Sequence, residues 1–152
     1  MTLFVDADSC PVRIREIICK TANRLQIQAV FVANRPIPIL KSSYCNSIIT
    51  AAEEQAADLY ILAQAVPGDI VITRDLPLAK QLIDAKIRVI NDRGNVYTTD
   101  NIKERLSIRN FMYELRADGL MPERIRTFGK KEIMNFAHAL DYETQRLLKN
   151  VL

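Results

Sequence analysis

Asp6 and Asp8 stand one residue apart in LFVDADSCPV, directly behind the first apolar run of the chain. Acids so close repel each other, and a buried carboxylate costs several kcal/mol unless it is paired or metal-bound. Similar polar groups follow the other strand-like runs. IQAVFVAN ends in Asn34-Arg35, DIVIT runs into Thr73-Arg74-Asp75, and IRVIN runs into Asn91-Asp92-Arg93. In an open parallel sheet the carboxyl ends of the strands share one edge, and ligands bind there near the point where strand order reverses. Asp6, Asp8, Asp75 and Asp92 are therefore candidates for one acidic site, with Ser9, Asn34 and Thr73 as polar neighbours. A helix that follows a strand begins at that same edge, which adds Asp58, early in AADLYILAQA and in line with Ile61, Leu62 and Ala65. An aspartate in line with a helix's apolar face either caps the helix or points into a pocket.

Acidic clusters of oxygen ligands without histidine suit Mg²⁺ or Mn²⁺, which take carboxylates directly or through water and reach substrate phosphates with their open positions. Such ions generate hydroxide from water and stabilise the leaving oxygen in phosphodiester cleavage. The competing use of each acid is to cap the next helix, where the dipole favours negative charge. Asp69 is excluded by geometry. It lies at the other end of the run that leads to Asp75, and at ~3.3 Å per strand residue the two should be ~20 Å apart.

These acids need a scaffold, and the chain offers an alternating one. The runs TLFVD, IQAVFVAN, DIVIT and IRVIN read as strands, and Ser47–Thr50 is a candidate for a short fifth. Between them PVRIREIICKTANRLQ, EEQAADLYILAQA and LPLAKQLIDA read as helices, with Pro11 suited to a first helical turn and Pro67-Gly68 stopping the second helix. DRGNVYTTD is turn-rich. Two helices follow, NIKERLSIRNFMYELRADG and KKEIMNFAHALDYETQRLLKN, with Asn101 and Glu104 as a candidate capping box. Strands alternating with helices imply right-handed crossovers and a parallel sheet covered on both faces. The expected architecture is a single α/β domain over residues 1–152, with an open, mainly parallel sheet of four to five strands in residues 1–100 and a two-helix C-terminal extension in 101–152.

Composition agrees with one ordinary globular domain: 152 residues, 49% hydrophobic and 26% charged. The net charge of +3 is uneven. Residues 1–100 hold 11 Lys and Arg against 11 Asp and Glu, while residues 101–152 hold 10 against 7, a mild lean towards polyanionic partners. Arg93-Gly94 could set a guanidinium near a phosphate. Lys103, Arg109 and Arg116 could form a basic stripe with Phe111 and Tyr113 among them, a combination that suits single-stranded nucleic acid, although helical aromatics more often belong to a core. Cys10, Cys19 and Cys45, with no signal-peptide pattern, point to reduced thiols in a cytoplasm. There is no C-x-x-C spacing and His138 is the only histidine, which argues against zinc. No apolar run approaches the ~18–20 residues of a membrane span. Cys10 at a helix N-terminus would be an activated thiol, but two aspartates oppose that shift, which favours a structural use.

With VDADSCPV, VAN, AADLYI, PGDIVITRDLPLA, RGNVYTTDNIKERLSIRNFMYELRADG and FAHALD together, nearly the whole chain resembles the YaiI/YqxD family of uncharacterised bacterial proteins, assigned to the PIN-like (NYN/PIN) superfamily of nuclease folds. The resemblance implies a PIN-like domain and a Mg²⁺- or Mn²⁺-dependent nuclease acting on RNA or single-stranded nucleic acid. It gives Asp6 the place of the acid ending the first strand, Asp58 that of the acid in the AD motif, and Asp75 that of the acid in a T-x-D pattern with Thr73 as its hydroxyl neighbour. Asp92 would supply a fourth acid. Arg74 departs from the small residue expected there and places a cation between acids. Asp8 and Cys10 belong to the family's own signature.

Two other readings compete. A haloacid-dehalogenase-type phosphatase also carries D-x-D after its first strand, with the first Asp as nucleophile and the second as general acid. Against it, Ser-Cys-Pro starts a helix at once where a Gly-Thr-like turn is expected. A PIN-like module that holds RNA without cleaving it is the second. The extra helices would allow a homodimer.

Overall fold

The computed structural model describes residues 1–40, 42–53, 55–120 and 127–151. Six strands form one sheet: β1 (Thr2–Asp6), β2 (Gln28–Ala33), β3 (Cys45–Ile49), β4 (Ile70–Ile72), β5 (Arg88–Ile90) and β6 (Val96–Tyr97), in the order β3-β2-β1-β4-β5-β6. All neighbours pair parallel except β5 with β6. Five helices connect or follow them: α1 (Val12–Leu25), α2 (Ala56–Gln64), α3 (Leu76–Asp84), α4 (Thr99–Ala117) and α5 (Lys130–Val151).

The alternation of side chains along each strand explains the three layers. Leu3 and Val5 of β1, Phe31 of β2, Ile70 and Ile72 of β4 and Ile90 of β5 face one side, where they pack with Ile14 and Ile18 of α1 and Phe136 and Leu140 of α5. Phe4, Val32, Val71 and Val89, one step out of phase, face Ala57 and Ile61 of α2, Leu78 and Leu82 of α3, and Ile102 of α4. Both faces are covered, so the middle of β1 and all of β4 can be apolar, as central parallel strands usually are.

Four expectations about the elements are corrected. The fifth strand exists but begins at Cys45, ahead of the expected Ser47. A sixth strand lies inside the turn-rich segment. Asn91 makes this possible: its side-chain oxygen accepts from the Arg93 and Asn95 N–H groups, each at 2.9 Å, and the tight turn folds two residues back against β5. Pro11 is the residue before α1 rather than in its first turn. The α4 capping box uses Thr98 and Asn101, not Asn101 and Glu104: Thr98 Oγ1 accepts from the Asn101 N–H at 3.2 Å, and Asn101 Oδ1 accepts from the Thr98 N–H at 2.9 Å.

Asp69 lies at the amino end of β4, as the strand-length argument requires. It is buried and accepts from the Thr2 and Val66 N–H groups, both at 2.9 Å, tying the start of β1 to the turn before β4. Cys10, Cys19 and Cys45 are buried free thiols. Among the described residues no helix is long and apolar enough to cross a membrane.

The β5–β6 turn is also where α5 closes on the sheet. Gly94 has φ +87°, and a Cβ there would sit 2.5 Å from the Asn135 carbonyl group of α5. Gly119 has φ +70° but nothing among the described residues within 4 Å of such a Cβ. Gly94→Ala is therefore expected to lower unfolding free energy by at least about 2 kcal/mol, combining backbone strain with overpacking against backbone atoms that cannot yield. Gly119→Ala should cost only about 1 kcal/mol, from the left-handed conformation alone. Urea titrations of the two variants check this, and equal losses would mean that α5 does not bear on the turn.

Candidate functional site

The crossover that carries the chain from β3 back past β1 to β4 makes the carboxyl ends of β1 and β4 the point where strand order reverses. Asp6 ends β1. Being two residues beyond Phe4, it takes the α2–α3 face of the sheet. The register pairs Val5 with Ile72, so the next residue on each strand, Asp6 and Thr73, come side by side. The Thr73 hydroxyl is buried and donates to Asp6 Oδ2 at 2.9 Å, while its oxygen accepts from the Asp75 N–H at 3.0 Å. Asp75 caps α3: its Oδ1 accepts from the Leu78 N–H at 2.9 Å. The capping role thus holds for Asp75. It fails for Asp58, which sits in the first turn of α2 without capping it.

These three acids line one cavity of about 450 Å³, together with Asp8, Asn34 and Arg109. Glu53, in the EEQ run ahead of α2, lines it too. Nothing in the sequence distinguished Glu53 from a solvated acid, because the stretch between β3 and α2 has no periodicity to orient it. The carboxylates feel each other. Partial burial pushes Asp58 up to about 6, helped by the charges of Asp75 and Asp6 and by a hydrogen bond with Asp75. Burial also raises Asp6; the Thr73 hydrogen bond opposes the rise, and Asp75 and Asp8 add to it.

The other candidates divide. Asp8 borders the cavity, but its two oxygens accept from the Asn34 N–H at 3.3 and 3.2 Å and it pairs with Arg35 at 3.8 Å. It locks the loop after β1 to the end of β2, and Asn34 serves that bond through its backbone. Asp92 does not border the acidic cavity. Its side chain is 3% exposed, 3.3 Å from Arg74 Nε and unaligned for a hydrogen bond at either oxygen. It stands behind Asp6 with Ser9, Cys10 and Thr73 around a small enclosed space. Burial pushes Asp92 up, against the pull of Arg74 and Arg93. Ser9 contributes its carbonyl, which accepts from Arg74 at 3.4 Å. The Cys10 thiol is pushed up to about 12, chiefly by burial and then by Asp92, so at neutral pH it is no nucleophile.

Of the cations expected at substrate, Arg109 lines the acidic cavity and Lys103 lies exposed on α4, bordering neither this cavity nor its neighbours. Arg93 is turned away. Its guanidinium donates to the Thr127 carbonyl at 2.8 Å, lies 3.7 Å from Glu132 and stacks over Phe128 at 5.3 Å. It anchors the entry to α5 and leaves no free fork for a phosphate. Phe111 and Tyr113, for which a core position was the commoner expectation, are each 57% exposed.

Asp6, Asp58 and Asp75 are the residues that could hold a divalent ion, since their oxygens are hard ligands and their mutual repulsion is what such an ion relieves. Among the described residues no three His, Cys, Asp or Glu side chains are arranged to hold a metal ion. An ion that keeps several of its waters, as Mg²⁺ does, needs fewer direct side-chain ligands than that.

The Asp58 shift has a measurable consequence in the metal-free protein. Its folded value of about 6 lies above the ordinary 3.8, so the fold binds this proton more tightly than the unfolded chain does. That contribution is complete below about pH 4 and is lost as pH rises through about 6. Asp58→Asn is expected to raise unfolding free energy at about pH 7.5 by roughly 1 kcal/mol, a figure discounted for the solvent reaching this half-exposed group, and to change little at about pH 4. Urea titrations across that range with a chelator present check it, and a loss of stability at about pH 7.5 would contradict it.

The model of the family described as "Uncharacterized BCR, YaiI/YqxD family" matches residues 4–146. A UPF0178 protein of Treponema pallidum is 55% identical over 98% of this chain and 84% of its own length. Another, from Treponema denticola, is 54% identical over 98% and 95%. One from Syntrophobacter fumaroxidans is 46% identical over 98% and 97%. No solved structure matches this chain significantly. A family match over nearly the whole chain, with relatives that align almost end to end, leads to one conclusion: the chain belongs to the YaiI/YqxD family, whose members include the UPF0178 proteins.

Proposed function

We propose that this protein is a metal-dependent phosphodiesterase, a PIN-like nuclease that hydrolyses RNA or other single-stranded nucleic acid in the cytoplasm. The observation that carries the reading is the meeting of Asp6, Asp58 and Asp75, from three different elements, at one cavity where the strand order reverses, with Asp58 pushed up partly by the other two. Capping accounts for Asp75 alone; Asp6 and Asp58, both raised by burial and by neighbouring carboxylates, have neither a capping role nor an ion pair among the described residues.

A bound Mg²⁺ or Mn²⁺ would neutralise these charges and supply a water of lowered pKa. The chain's own residues do the rest. Thr73 fixes Asp6 by donating to Oδ2, which leaves Oδ1 available to a ligand. Asp75 uses Oδ1 to cap α3 and borders the cavity, which leaves its other oxygen available to a ligand. Asp58, raised by burial and by the charges of Asp75 and Asp6 in the metal-free protein, would give up its proton to serve as the third oxygen ligand. Arg109 offers guanidinium donors to a phosphate at the rim. The phosphatase reading is disfavoured by Asp8, whose oxygens are engaged by the Asn34 N–H and Arg35 and not poised as an acid beside a nucleophilic Asp6.

Wild-type protein with labelled single-stranded RNA and Mg²⁺ or Mn²⁺ is expected to turn over substrate, and a chelator should abolish this. Asp75→Asn should reduce the rate by about 100-fold or more. Asn caps a helix as well as Asp, so α3 stays intact in that variant. Asp84→Asn, on the exposed end of α3, is the control. RNA binding without turnover in the wild type, with either metal, would instead indicate a module that holds RNA without cleaving it.

A further inference from the structure

The acidic cavity does not stand alone. Beside it, between α4 and the β5–β6 turn, lies a groove of about 590 Å³ lined by Arg74, Arg105, Arg109 and Arg116, with Glu104 its only acid among the described residues. A smaller cavity of about 340 Å³ bordered by Asp6, Asp75, Arg74, Arg109 and Tyr113 joins the two. Arg109 borders all three spaces. Arg13, Arg24, Arg35, Arg88 and Arg93 each have a carboxylate within 3.8 Å, whereas Arg15 donates to the Cys10 carbonyl and Arg146 lies over Tyr142 at 5.4 Å, each apart from the groove. Among the described residues Arg105, Arg109 and Arg116 have no such partner. Two of them lie instead against tyrosine rings, Arg105 over Tyr97 at 5.8 Å and Arg109 over Tyr113 at 4.7 Å. Stacking of this kind orients a guanidinium and leaves most of its N–H groups for an anion, Arg109 spending one on Asn110 Oδ1 at 3.2 Å.

We infer that this groove is a track for the sugar–phosphate backbone of a single-stranded polynucleotide, leading it through Arg109 to the acidic cavity. The inference rests on the nuclease reading for what happens at the end of the track, but not for binding to it. Arg105 and Arg116 lie about 16 Å apart along the helix at 1.5 Å per residue, enough for several phosphates and too long for a mononucleotide. The half-exposed Ile108 and Tyr113 in the same groove give bases something to lie on, which a paired duplex would not use. The substrate of the acidic site is then a chain of several nucleotides on the α4 side of the bond to be broken. Neither a free nucleotide nor duplex suits it.

The test is fluorescence anisotropy with a labelled oligouridylate of about 12 nucleotides, in chelator, across a salt series, so that no catalysis is needed. Wild-type affinity is expected to fall linearly on a log–log plot against salt. The double variant Arg105→Ala/Arg116→Ala should bind at least about 10-fold more weakly, with a slope smaller by roughly 1.4, two single-strand phosphates' worth. Alanine is the best helix former, so α4 persists in the variant, and a thermal melt confirms it. Arg13→Ala/Arg24→Ala is the charge-matched control and should bind as wild type does. Asp75→Asn should bind at least as well as wild type, since it removes only a negative charge. Equal binding by wild type and the α4 double variant, tighter binding of a duplex than of the single strand, or no binding at all would overturn the track. Turnover that survives any of those results would leave the nuclease reading in place. Groove-dependent binding with no turnover would leave the track standing and remove the nuclease.

Discussion

The parallel pairing of β1 with β4 sets Val5 against Ile72, and the next residue on each strand then brings the Thr73 hydroxyl to Asp6 at 2.9 Å. Thr73 has one proton to give and gives it to a carboxylate, and its oxygen takes the Asp75 N–H. One buried hydroxyl therefore sets the positions of two acids that would otherwise separate. The register is held from below by Asp69, which ties the amino ends of β1 and β4 through the Thr2 and Val66 N–H groups. Strand pairing, and not any long-range electrostatic attraction, is what brings the negative charges together.

That arrangement works against the fold. Asp58 and Asp6 both hold protons more tightly than ordinary carboxylates do, the signature of charge placed where hydration is incomplete and neighbours repel. Asp92, buried behind them, has a cation at 3.3 Å but no aligned hydrogen bond. Local penalties of this kind persist in proteins where the surrounding core over-determines the geometry, and here two apolar layers close on both faces of the sheet. The same reasoning explains why the neighbouring arginines of α4 are not recruited to neutralise the acids: the helix axis holds them along a separate groove, with only Arg109 reaching the rim.

Much of this was legible in the sequence, and the limits have physical causes. Apolar runs ending in Asp6, Thr73-Arg74-Asp75 and Asn91-Asp92 located the edge where the acids gather, because strand ends and sheet ends coincide in a parallel sheet. The face of Asp58 followed from its phase with Ile61. β6 escaped because two residues leave no alternation to read, and its turn depends on the Asn91 side chain. Arg93 looked free by position, yet the Thr127 carbonyl, Glu132 and Phe128 come to it from a distant part of the chain. Phe111 and Tyr113 looked like core residues, but α4 packs on the core through Ile102 and Leu106 in its first half, and both rings lie past them on exposed positions. Arg105 has no sequence signal of its own: only the fold places it over Tyr97 and beside Arg109 and Arg116.

The central claim is that Asp6, Asp58 and Asp75 form one divalent-ion site whose ligands repel each other until an ion arrives. Calorimetric titration of Mn²⁺ into the wild type and into Asp6→Asn at about pH 6, where Asp58 is about half protonated, tests it most directly. The account predicts a saturable site in the wild type, proton release from Asp58 on binding, seen as a heat that varies with the ionisation enthalpy of the buffer, and at least about 10-fold weaker affinity in Asp6→Asn. Binding of equal strength in the two proteins, or no binding by the wild type even with a short RNA present, would contradict it.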